Sequence, residues 1–278
     1  MKKNWLLLTV FISGIATAQV PRLEKVWETD TIIPVPESVL PDAKANTLYV
    51  SLINGGGWDE DGKGGVGRLS PDGKQFDATW IEGLDAPKGL GRVGNKLFAA
   101  DISTVAVIDI RKGIIEKKIP IEGAAGLNDI TTDGHGAVFV ADSRKARIWK
   151  LDKGRPVLYL DSVKGANGLK VIGPDLYFAE GKKLKKIDPQ KKVSLVAELP
   201  QGIDGIEPVG NGNLIVTAWS GYIFYVTASG NVTLLLDTHL EKMNTADIGY
   251  DPIKKMLYVP TFNAKKVVAY RLLQEGTN

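Results

Sequence analysis

The chain has 278 residues, no cysteine, and 35 lysine and arginine residues against 32 aspartate and glutamate residues. The lack of cysteine excludes a disulfide framework and a thiol nucleophile, so the fold must be stabilised by its core. The nearly balanced charge gives no reason to expect nucleic acid or an anionic membrane as a partner. The length suits one domain of a repeated β fold.

Residues 1–18 are predicted to be a cleavable secretory signal peptide. A short basic start, an apolar run from Trp5 to Ile15 and the small residues Ala16-Thr17-Ala18 follow the pattern of such signals. The apolar run is too short to span about 30 Å of hydrocarbon, and no cysteine follows it to carry a lipid. We therefore expect residues 19–278 to form a single exported domain, periplasmic or secreted, without a membrane anchor.

A strand-like segment precedes the first of several sequence repeats, and it indicates how the first and last repeats are joined. The last repeat, from Asp247 to Leu273, has only three strand-like runs. A ring of sheets must join its first and last strands, or an edge stays open. We expect the segment from Leu23 to Glu28 to be the outermost strand of the last sheet.

A three-residue motif recurs six times, at steps of 51, 40, 39, 37 and 42 residues. Each copy holds a ligand-type residue, a small or acidic residue and an aliphatic one: Glu37-Ser38-Val39, Lys88-Gly89-Leu90, Asn128-Asp129-Ile130, Asn167-Gly168-Leu169, Asp204-Gly205-Ile206 and Ala246-Asp247-Ile248. About ten residues later comes a short apolar run with the composition of a buried strand, such as Val138-Phe139-Val140. A period near 40 residues that carries strands and turns indicates a radially repeated sheet. The sequence predicts an all-β six-bladed β-propeller with four-stranded blades.

The first blade contains the only long insertion, from Asn54 to Gly65, which is rich in glycine and holds Trp58. In a propeller this loop opens on the face where the first strands begin, so it is expected to overhang the ring. A mobile lid over a pocket and a simple surface hairpin are both compatible with its composition. The string Gly62 to Gly67 matches a dinucleotide-binding motif by letters only, because no helix follows it.

The first strands of a propeller line its central tunnel, so the ligand-type residue of each copy is expected to face the axis. These six ring residues are Glu37, Lys88, Asn128, Asn167, Asp204 and Ala246. Two carboxylates and two amide oxygens suit Ca²⁺, although Mn²⁺ and Mg²⁺ also accept oxygen ligands. The absence of histidine and cysteine from the ring argues against a zinc site of the usual kind.

The ordered motifs resemble the gluconolactonase, regucalcin and luciferin-regenerating-enzyme group of six-bladed propellers, also called the SMP-30/gluconolactonase-like family. Glu37, the Asn128-Asp129 pair and the Asn-Gly and Asp-Gly motifs at Asn167 and Asp204 match that family's order, over nearly all of residues 19–278. The resemblance implies a metal-dependent hydrolase of a lactone or related small ester. It implies that Glu37, Asn167 and Asp204 bind the metal, that Asn128 binds metal or substrate, and that Asp204 is base or nucleophile.

Lys88 departs from this pattern, because a cation beside a divalent metal is unfavourable. As a catalytic or substrate-binding residue it would contact an anionic substrate group or an oxyanion. Alternatively it pairs with Glu37 or Asp204 and replaces the metal, which would leave a propeller without catalysis. Ala246 cannot bind a metal through its side chain, and its neighbour Asp247 is interpreted as a structural carboxylate.

Several residues at the ends of the second strands are also expected near the pocket: Asp101, Asp142, Glu180, Trp219 and Asn263. Capping of turns is the better interpretation of the two aspartates. Together with Lys88 and Asn128, we expect Glu180, Trp219 and the insertion's Trp58 to contact the substrate. The two histidines, His135 and His239, fall in turns away from the ring, which argues against a histidine dyad.

Two further functions remain open from the sequence. One is a non-catalytic propeller of the NHL-repeat type that binds a peptide, sugar or other small ligand, since the string from Val138 to Ser143 resembles such repeats. The other is a carbon–carbon bond-forming enzyme like strictosidine synthase, whose glutamate context is missing here. A metal requirement would separate the hydrolase from both. We expect a small-molecule substrate and a monomer, because a closed propeller needs no partner for its stability.

Overall fold

The computed structural model describes residues 21–30 and 32–274. This part of the chain forms six antiparallel sheets of four strands each, with two single-turn 3₁₀ helices. The predicted six-bladed propeller with four-stranded blades is confirmed. The predicted signal peptide lies outside the described residues. No helix in the described ranges is long and apolar enough to cross a bilayer.

The strands follow the chain around the ring. Blade 1 comprises β2 (Pro36–Asp42), β3 (Thr47–Leu52), β4 (Gly64–Leu69) and β5 (Phe76–Leu84). Blade 2 comprises β6 (Pro87–Val93), β7 (Lys96–Asp101), β8 (Thr104–Asp109) and β9 (Ile114–Pro120). Blade 3 comprises β10 (Leu127–Thr132), β11 (Val138–Asp142), β12 (Arg147–Asp152) and β13 (Arg155–Leu160). Blade 4 comprises β14 (Ala166–Ile172), β15 (Asp175–Glu180), β16 (Lys183–Ile187) and β17 (Val193–Glu198).

The remaining strands complete the ring. Blade 5 comprises β18 (Ile206–Gly210), β19 (Asn213–Ala218), β20 (Tyr222–Val226) and β21 (Val232–Asp237). Blade 6 comprises β22 (Gly249–Asp251), β23 (Met256–Pro260), β24 (Val267–Leu273) and β1 (Arg22–Glu28). The 3₁₀ helices span His239–Glu241 and Phe262–Ala264.

Strand β1 closes the ring as the sequence predicts. It pairs antiparallel with β24, from Arg22 opposite Leu273 to Glu28 opposite Val268. Trp27 of this strand packs on Tyr258 of blade 6, with ring centroids 6.0 Å apart, and its indole N–H donates to the Pro71 carbonyl at 3.1 Å. Since Pro71 belongs to blade 1, one side chain joins the last blade to the first.

The hydrophobic core is divided among the blade interfaces. Six clusters of buried side chains lie between neighbouring blades, one for each interface of the ring. Alternate side chains of a strand point to opposite faces of its sheet, and each face here meets another blade. The second strands are therefore apolar on both faces, and every residue of β11 is buried.

The small second residue of the repeated motif is a packing requirement. A Cβ on Gly89 would lie 2.5 Å from the Ile130 amide nitrogen, and one on Gly205 would lie 2.7 Å from that of Ile248. A Cβ on Gly168 would overlap the Asp204 carbonyl oxygen. Glycine at these positions lets the first strands of successive blades approach closely enough to form a narrow ring.

Candidate metal and active site

A β-bulge presents the ring residue in each of four blades. In blade 1, Pro36 pairs with Leu52 and Val39 with Val50, so that Glu37 and Ser38 together oppose the single residue Ser51. The same two-against-one pairing occurs at the motifs of Lys88, Asn128 and Asn167. Bulges bend a strand and change the direction of its side chains. In these four blades the ring residue therefore lies outside the regular strand pairing, near the start of the first strand.

Burial of the ring residues is nearly complete. Glu37, Lys88, Asn128 and Asp204 expose between 3 and 9 % of their surface, and Asn167 is half-buried. Polar groups removed from water in this way are costly unless they are hydrogen-bonded or paired. Their partners therefore decide what the site can hold.

Asn167 and Asp204 are in direct contact. The Asn167 side-chain nitrogen donates to Asp204 Oδ1 at 2.9 Å. A carboxylate can only accept, so this bond fixes the amide with its nitrogen toward Asp204. The carbonyl oxygen of Asn167 is left without a hydrogen bond.

Asn128 shows the same arrangement with a different partner. Its side-chain nitrogen donates to the Ser143 hydroxyl oxygen at 3.1 Å, and Asn128 Oδ1 is buried without a donor. Ser143 was not identified from the sequence. Its position directly after the second strand of the blade that supplies Asn128 is the only signal that could have pointed to it.

Three of the six buried side-chain atoms without a hydrogen-bond partner in the described structure belong to this ring: Glu37 Oε2, Asn128 Oδ1 and Asn167 Oδ1. All three are oxygens, and with Asp204 they form the set predicted to bind a metal. Carboxylate and amide oxygens without a hydrogen-bond donor are the ligand type that a hard divalent cation takes, so the chemistry of the residues fits such an ion. The described residues contain no group of three or more His, Cys, Asp or Glu able to hold a metal. A site here would instead combine two carboxylates with two amides.

The electrostatics of the two ring carboxyls favour the same conclusion. Burial and then the charge of Asp204 raise the pKa of Glu37 well above its ordinary value, while Lys88 opposes this rise. Burial and then the charge of Asp247 raise the pKa of Asp204 to about 7, against the hydrogen bond from Asn167. Without an added cation, these carboxyls are difficult to ionise together.

Two more buried carboxyls lie one residue further along the first strands. Asp247 Oδ2 accepts from the Ser38 hydroxyl at 2.6 Å, and Asp129 accepts from the backbone amides of Ile130 and Leu169. Both therefore hold neighbouring first strands together. The interpretation of Asp247 as a structural carboxylate agrees with these contacts.

Lys88 lies beneath the insertion of blade 1. Its Nζ donates to the Gly57 carbonyl at 2.5 Å and to the Ala86 carbonyl at 3.1 Å. The Trp58 ring centroid is 4.0 Å from Nζ, and the Arg144 guanidinium lies 4.5 Å from the same ring. The loop thus overhangs the ring, as expected, and the Trp58 ring is in contact with two cationic groups.

Neither Glu37 nor Asp204 forms an ion pair with Lys88 within 4.0 Å. Burial lowers the pKa of Lys88, and the charge of Glu37 partly opposes this effect. The lysine is therefore near the carboxyls without being bonded to them. One of its three N–H bonds is not used in its contacts with the two carbonyls.

The remaining predicted residues divide into two groups. Asp101 accepts from the amides of Asp85 and Ala86, and Asp142 from those of Ala125 and Lys145, so both cap turns. Trp219 is 44 % exposed and packs edge-on against Phe262 at 5.4 Å, and Glu180 forms an ion pair with Lys185. Roles for Trp219 and Glu180 in substrate binding stay predictions. His135 is exposed in a bend, and His239 begins the first 3₁₀ helix and is bonded to Asp237.

Comparison with protein-family models finds no match, and comparison with curated proteins finds none either. Among solved structures, the chain is similar to luciferin-regenerating enzyme, with a TM-score of 0.67 and 14 % identity, covering 92 % of this chain and 96 % of the other. It is also similar to a chain of a nidogen/laminin complex, with a TM-score of 0.61 and 17 % identity, covering 70 % and 77 % of the two chains. The first likeness confirms the predicted resemblance at the level of architecture. At such identities the comparisons establish the fold, and function must be argued from the site.

Proposed function

We propose that this protein is an exported hydrolase of lactones or related small esters that works with a divalent cation. Glu37, Asn128, Asn167 and Asp204 would hold the cation, most simply Ca²⁺, with Mn²⁺ or Mg²⁺ as alternatives. The observation that carries the proposal is the set of three buried oxygens of the ring that accept no hydrogen bond. The architecture shared with luciferin-regenerating enzyme is consistent with it.

The donor set explains the choice of cation. Ca²⁺ takes six to eight oxygen ligands in flexible geometry, so four side chains would leave positions for water and a substrate oxygen. When bound, the ion would polarise the carbonyl of the substrate and offset the negative charge that develops during hydrolysis. Two carboxylates balance its charge.

Asp204 is the candidate base or nucleophile. Asn167 occupies one of its oxygens and fixes the plane of the carboxyl group. As a base, the carboxylate would take a proton from water while the water oxygen adds to the lactone carbonyl, and the proton would pass to the departing ring oxygen. As a nucleophile, it would attack the carbonyl carbon, and the ring C–O bond would break with its electron pair left on the departing oxygen, which takes a proton from water. The resulting acyl-aspartate would be hydrolysed by the hydroxide so formed, which releases the hydroxy acid and restores the carboxylate.

Lys88 and Trp58 would complete the pocket around the reacting carbonyl. The N–H of Lys88 that neither Gly57 nor Ala86 accepts is available to a substrate oxygen that gains negative charge. Trp58 covers the ammonium at 4.0 Å and would limit the access of water. The glycines beside Trp58 give this loop the freedom to admit and release a small molecule.

The test is hydrolysis of a panel of lactones and small esters by residues 19–278, stripped with EDTA and then reconstituted with Ca²⁺, Mn²⁺ or Mg²⁺. We expect activity only with metal, and a loss of about 10²-fold or more in kcat/KM for Asp204→Asn. Asp237→Asn, at the exposed end of β21, is the matched control and should behave as wild type. Equal hydrolysis by the stripped protein, or an active Asp204→Asn variant, would contradict the proposal.

A non-catalytic binding propeller is the second candidate, and the position of Lys88 favours it. Its ammonium is close enough to Glu37 to oppose the rise in the pKa of that carboxyl, so it supplies positive charge to the ring. Substitution Lys88→Met separates the two cases. If Lys88 replaces the metal, the wild type binds no divalent cation and the variant gains affinity. If the ring is a metal site, the wild type binds already, and the variant binds more tightly because a like charge is removed.

A further inference from the structure

We infer that Ser143 is a positioning residue that fixes which end of the Asn128 amide faces the ring. An amide group carries a donor at one end and an acceptor at the other, and only the oxygen end can bind a cation. The inference rests on the proposed function, because it assigns Ser143 to the same cation site. Neither the fold nor the ring motifs assign any role to this serine.

The orientation follows from counting hydrogens. Ser143 has one hydroxyl hydrogen, which it donates to the Ala166 carbonyl of the next blade. Its oxygen can then only accept from Asn128, and the donor must be the side-chain nitrogen, which lies 3.1 Å away. With the nitrogen held by Ser143, the oxygen of Asn128 is directed away from the serine and finds no donor.

The serine itself is held from both sides. Its backbone N–H donates to the Gly126 carbonyl at 2.8 Å, two residues before Asn128. The preceding Asp142 is fully buried and accepts from the amides of Ala125 and Lys145. The hydroxyl is therefore held at a fixed position relative to β10, the strand that carries Asn128. Groups that orient metal ligands are commonly held in this way.

The corresponding position in each of the other blades holds a residue that does not bond to a ring side chain. Directly after the second strand stand Ile53, Ile102, Gly181, Trp219 and Thr261. Blade 4 contributes the other ring amide, but there Asp204 orients Asn167 directly. Thr261 also carries a hydroxyl, but that group donates to the Lys266 carbonyl and lies in blade 6, where the ring residue is Ala246. Blade 3 is thus the one described blade in which a hydroxyl at this position bonds to a ring amide.

Loss of the hydroxyl would leave the nitrogen of Asn128 without an acceptor. The amide would then rotate and present N–H groups to the cation for part of the time. Removal of groups that orient metal ligands typically reduces metal affinity 10- to 100-fold. We expect a loss of this size, about 10- to 100-fold, in Ser143→Ala, while Ser143→Thr, which keeps a hydroxyl, should stay within about threefold of the wild type.

The experiment is a calorimetric titration of Ca²⁺ into the EDTA-stripped protein, so its readout is binding and not hydrolysis. Ser103→Ala is the control, because that serine lies two residues after the second strand of blade 2 and its side chain bonds to no ring residue in the described part of the chain. Ser143→Ala is also made in an Asn128→Asp variant. Both ends of a carboxylate are acceptors, so the orientation of the side chain at position 128 no longer affects cation binding. In that background, Ser143→Ala should change the affinity for Ca²⁺ by less than about threefold.

The outcomes are distinct. A loss of about 10- to 100-fold that appears with the native Asn128 and disappears in the Asn128→Asp background supports the inference. Equal Ca²⁺ affinity in the wild type and Ser143→Ala, with both proteins folded, overturns it and leaves the proposed metal site intact. An equal loss in both backgrounds also overturns it, because the serine would then act through the fold. A wild type that binds no Ca²⁺, Mn²⁺ or Mg²⁺ overturns the proposed function itself.

Discussion

Replacing Asp204 by asparagine is expected to stabilise the metal-free protein at pH 8 while leaving its stability at pH 4 almost unchanged. Asp204 is 3 % exposed and accepts a hydrogen bond from Asn167 at 2.9 Å. Asparagine has nearly the same shape and keeps an oxygen for that bond. The substitution therefore removes the charge with little change in packing.

The magnitude follows from proton linkage. Burial and the charge of Asp247 raise the pKa of Asp204 from its ordinary 3.8 to about 7. Below the lower value the group is protonated in both native and unfolded chains, and its charge costs nothing. Between the two values the unfolded chain releases a proton that the native protein retains, so the free energy of unfolding falls as the pH rises. Each tenfold change in proton affinity corresponds to about 1.4 kcal/mol, which gives a full cost of up to about 4 kcal/mol above pH 7.

Thermal unfolding in EDTA at pH 4 and pH 8 tests this reasoning. A gain of about 4 kcal/mol corresponds to a rise in Tm of about 8 to 16 °C for a domain of this size. Asp237→Asn is the control with the opposite sign, because a hydrogen bond from His239 lowers the pKa of that exposed carboxyl. If Asp204→Asn is destabilised equally at both pH values, the carboxyl is not held at an energetic cost and the reasoning is refuted.

Three further predictions test the packing of the first strands, the closure of the propeller by β1, and the role of the blade 1 insertion. Gly168→Ala should lose about 3 kcal/mol, because its Cβ would overlap backbone of the next blade, whereas Gly202→Ala, with nothing within 4 Å, should stay within about 0.5 kcal/mol in thermal unfolding. Trp27→Ala should lose about 2 kcal/mol in urea unfolding, since it packs on Tyr258 and bonds to blade 1; an unchanged midpoint would mean that β1 does not close the ring. Trp58→Ala should raise KM for a hydrolysed lactone at unchanged Tm, and an unchanged KM would exclude Trp58 from the pocket.

The architecture could be predicted from the sequence because the repeat is regular and each copy specifies the same unit. The period near 40 residues, the apolar second strands and the incomplete last repeat were sufficient to predict the six blades and the closing strand β1 (Arg22–Glu28). The motif also indicated which residues would lie in the ring. These are local patterns repeated at fixed spacing, so neighbouring blades constrain one another.

The contacts that give the ring its chemistry could not be predicted in the same way. The bulge that places Glu37 and Ser38 opposite Ser51 depends on the pairing of two strands and has no marker in the letters. The orientation of the Asn128 amide depends on Ser143, which in turn depends on a carbonyl of the next blade. Such features arise only when three strands from two blades are brought together.

The sequence left the partners of Lys88 open, and the structure identifies its hydrogen-bond acceptors. Pairing with Glu37 or Asp204 was one expectation, yet its ammonium bonds to the carbonyls of Gly57 and Ala86. The loop that carries Gly57 is unique to blade 1, so no repeat pattern could predict this contact. The lysine therefore bonds to the insertion of blade 1 that overhangs the site, and not to the carboxyls of the ring.

The measurement that tests the metal site most directly is a Ca²⁺ titration of the EDTA-stripped protein, residues 19–278, followed by thermal unfolding. Binding to the native state alone stabilises by about 2.7 kcal/mol at one hundred times the dissociation constant. We expect the Tm of the wild type to rise with Ca²⁺ concentration and the rise to be lost in Glu37→Gln and Asp204→Ala. A wild-type Tm that stays constant with Ca²⁺, Mn²⁺ and Mg²⁺ would contradict the assignment of the orphan oxygens of Glu37, Asn128 and Asn167 to a cation.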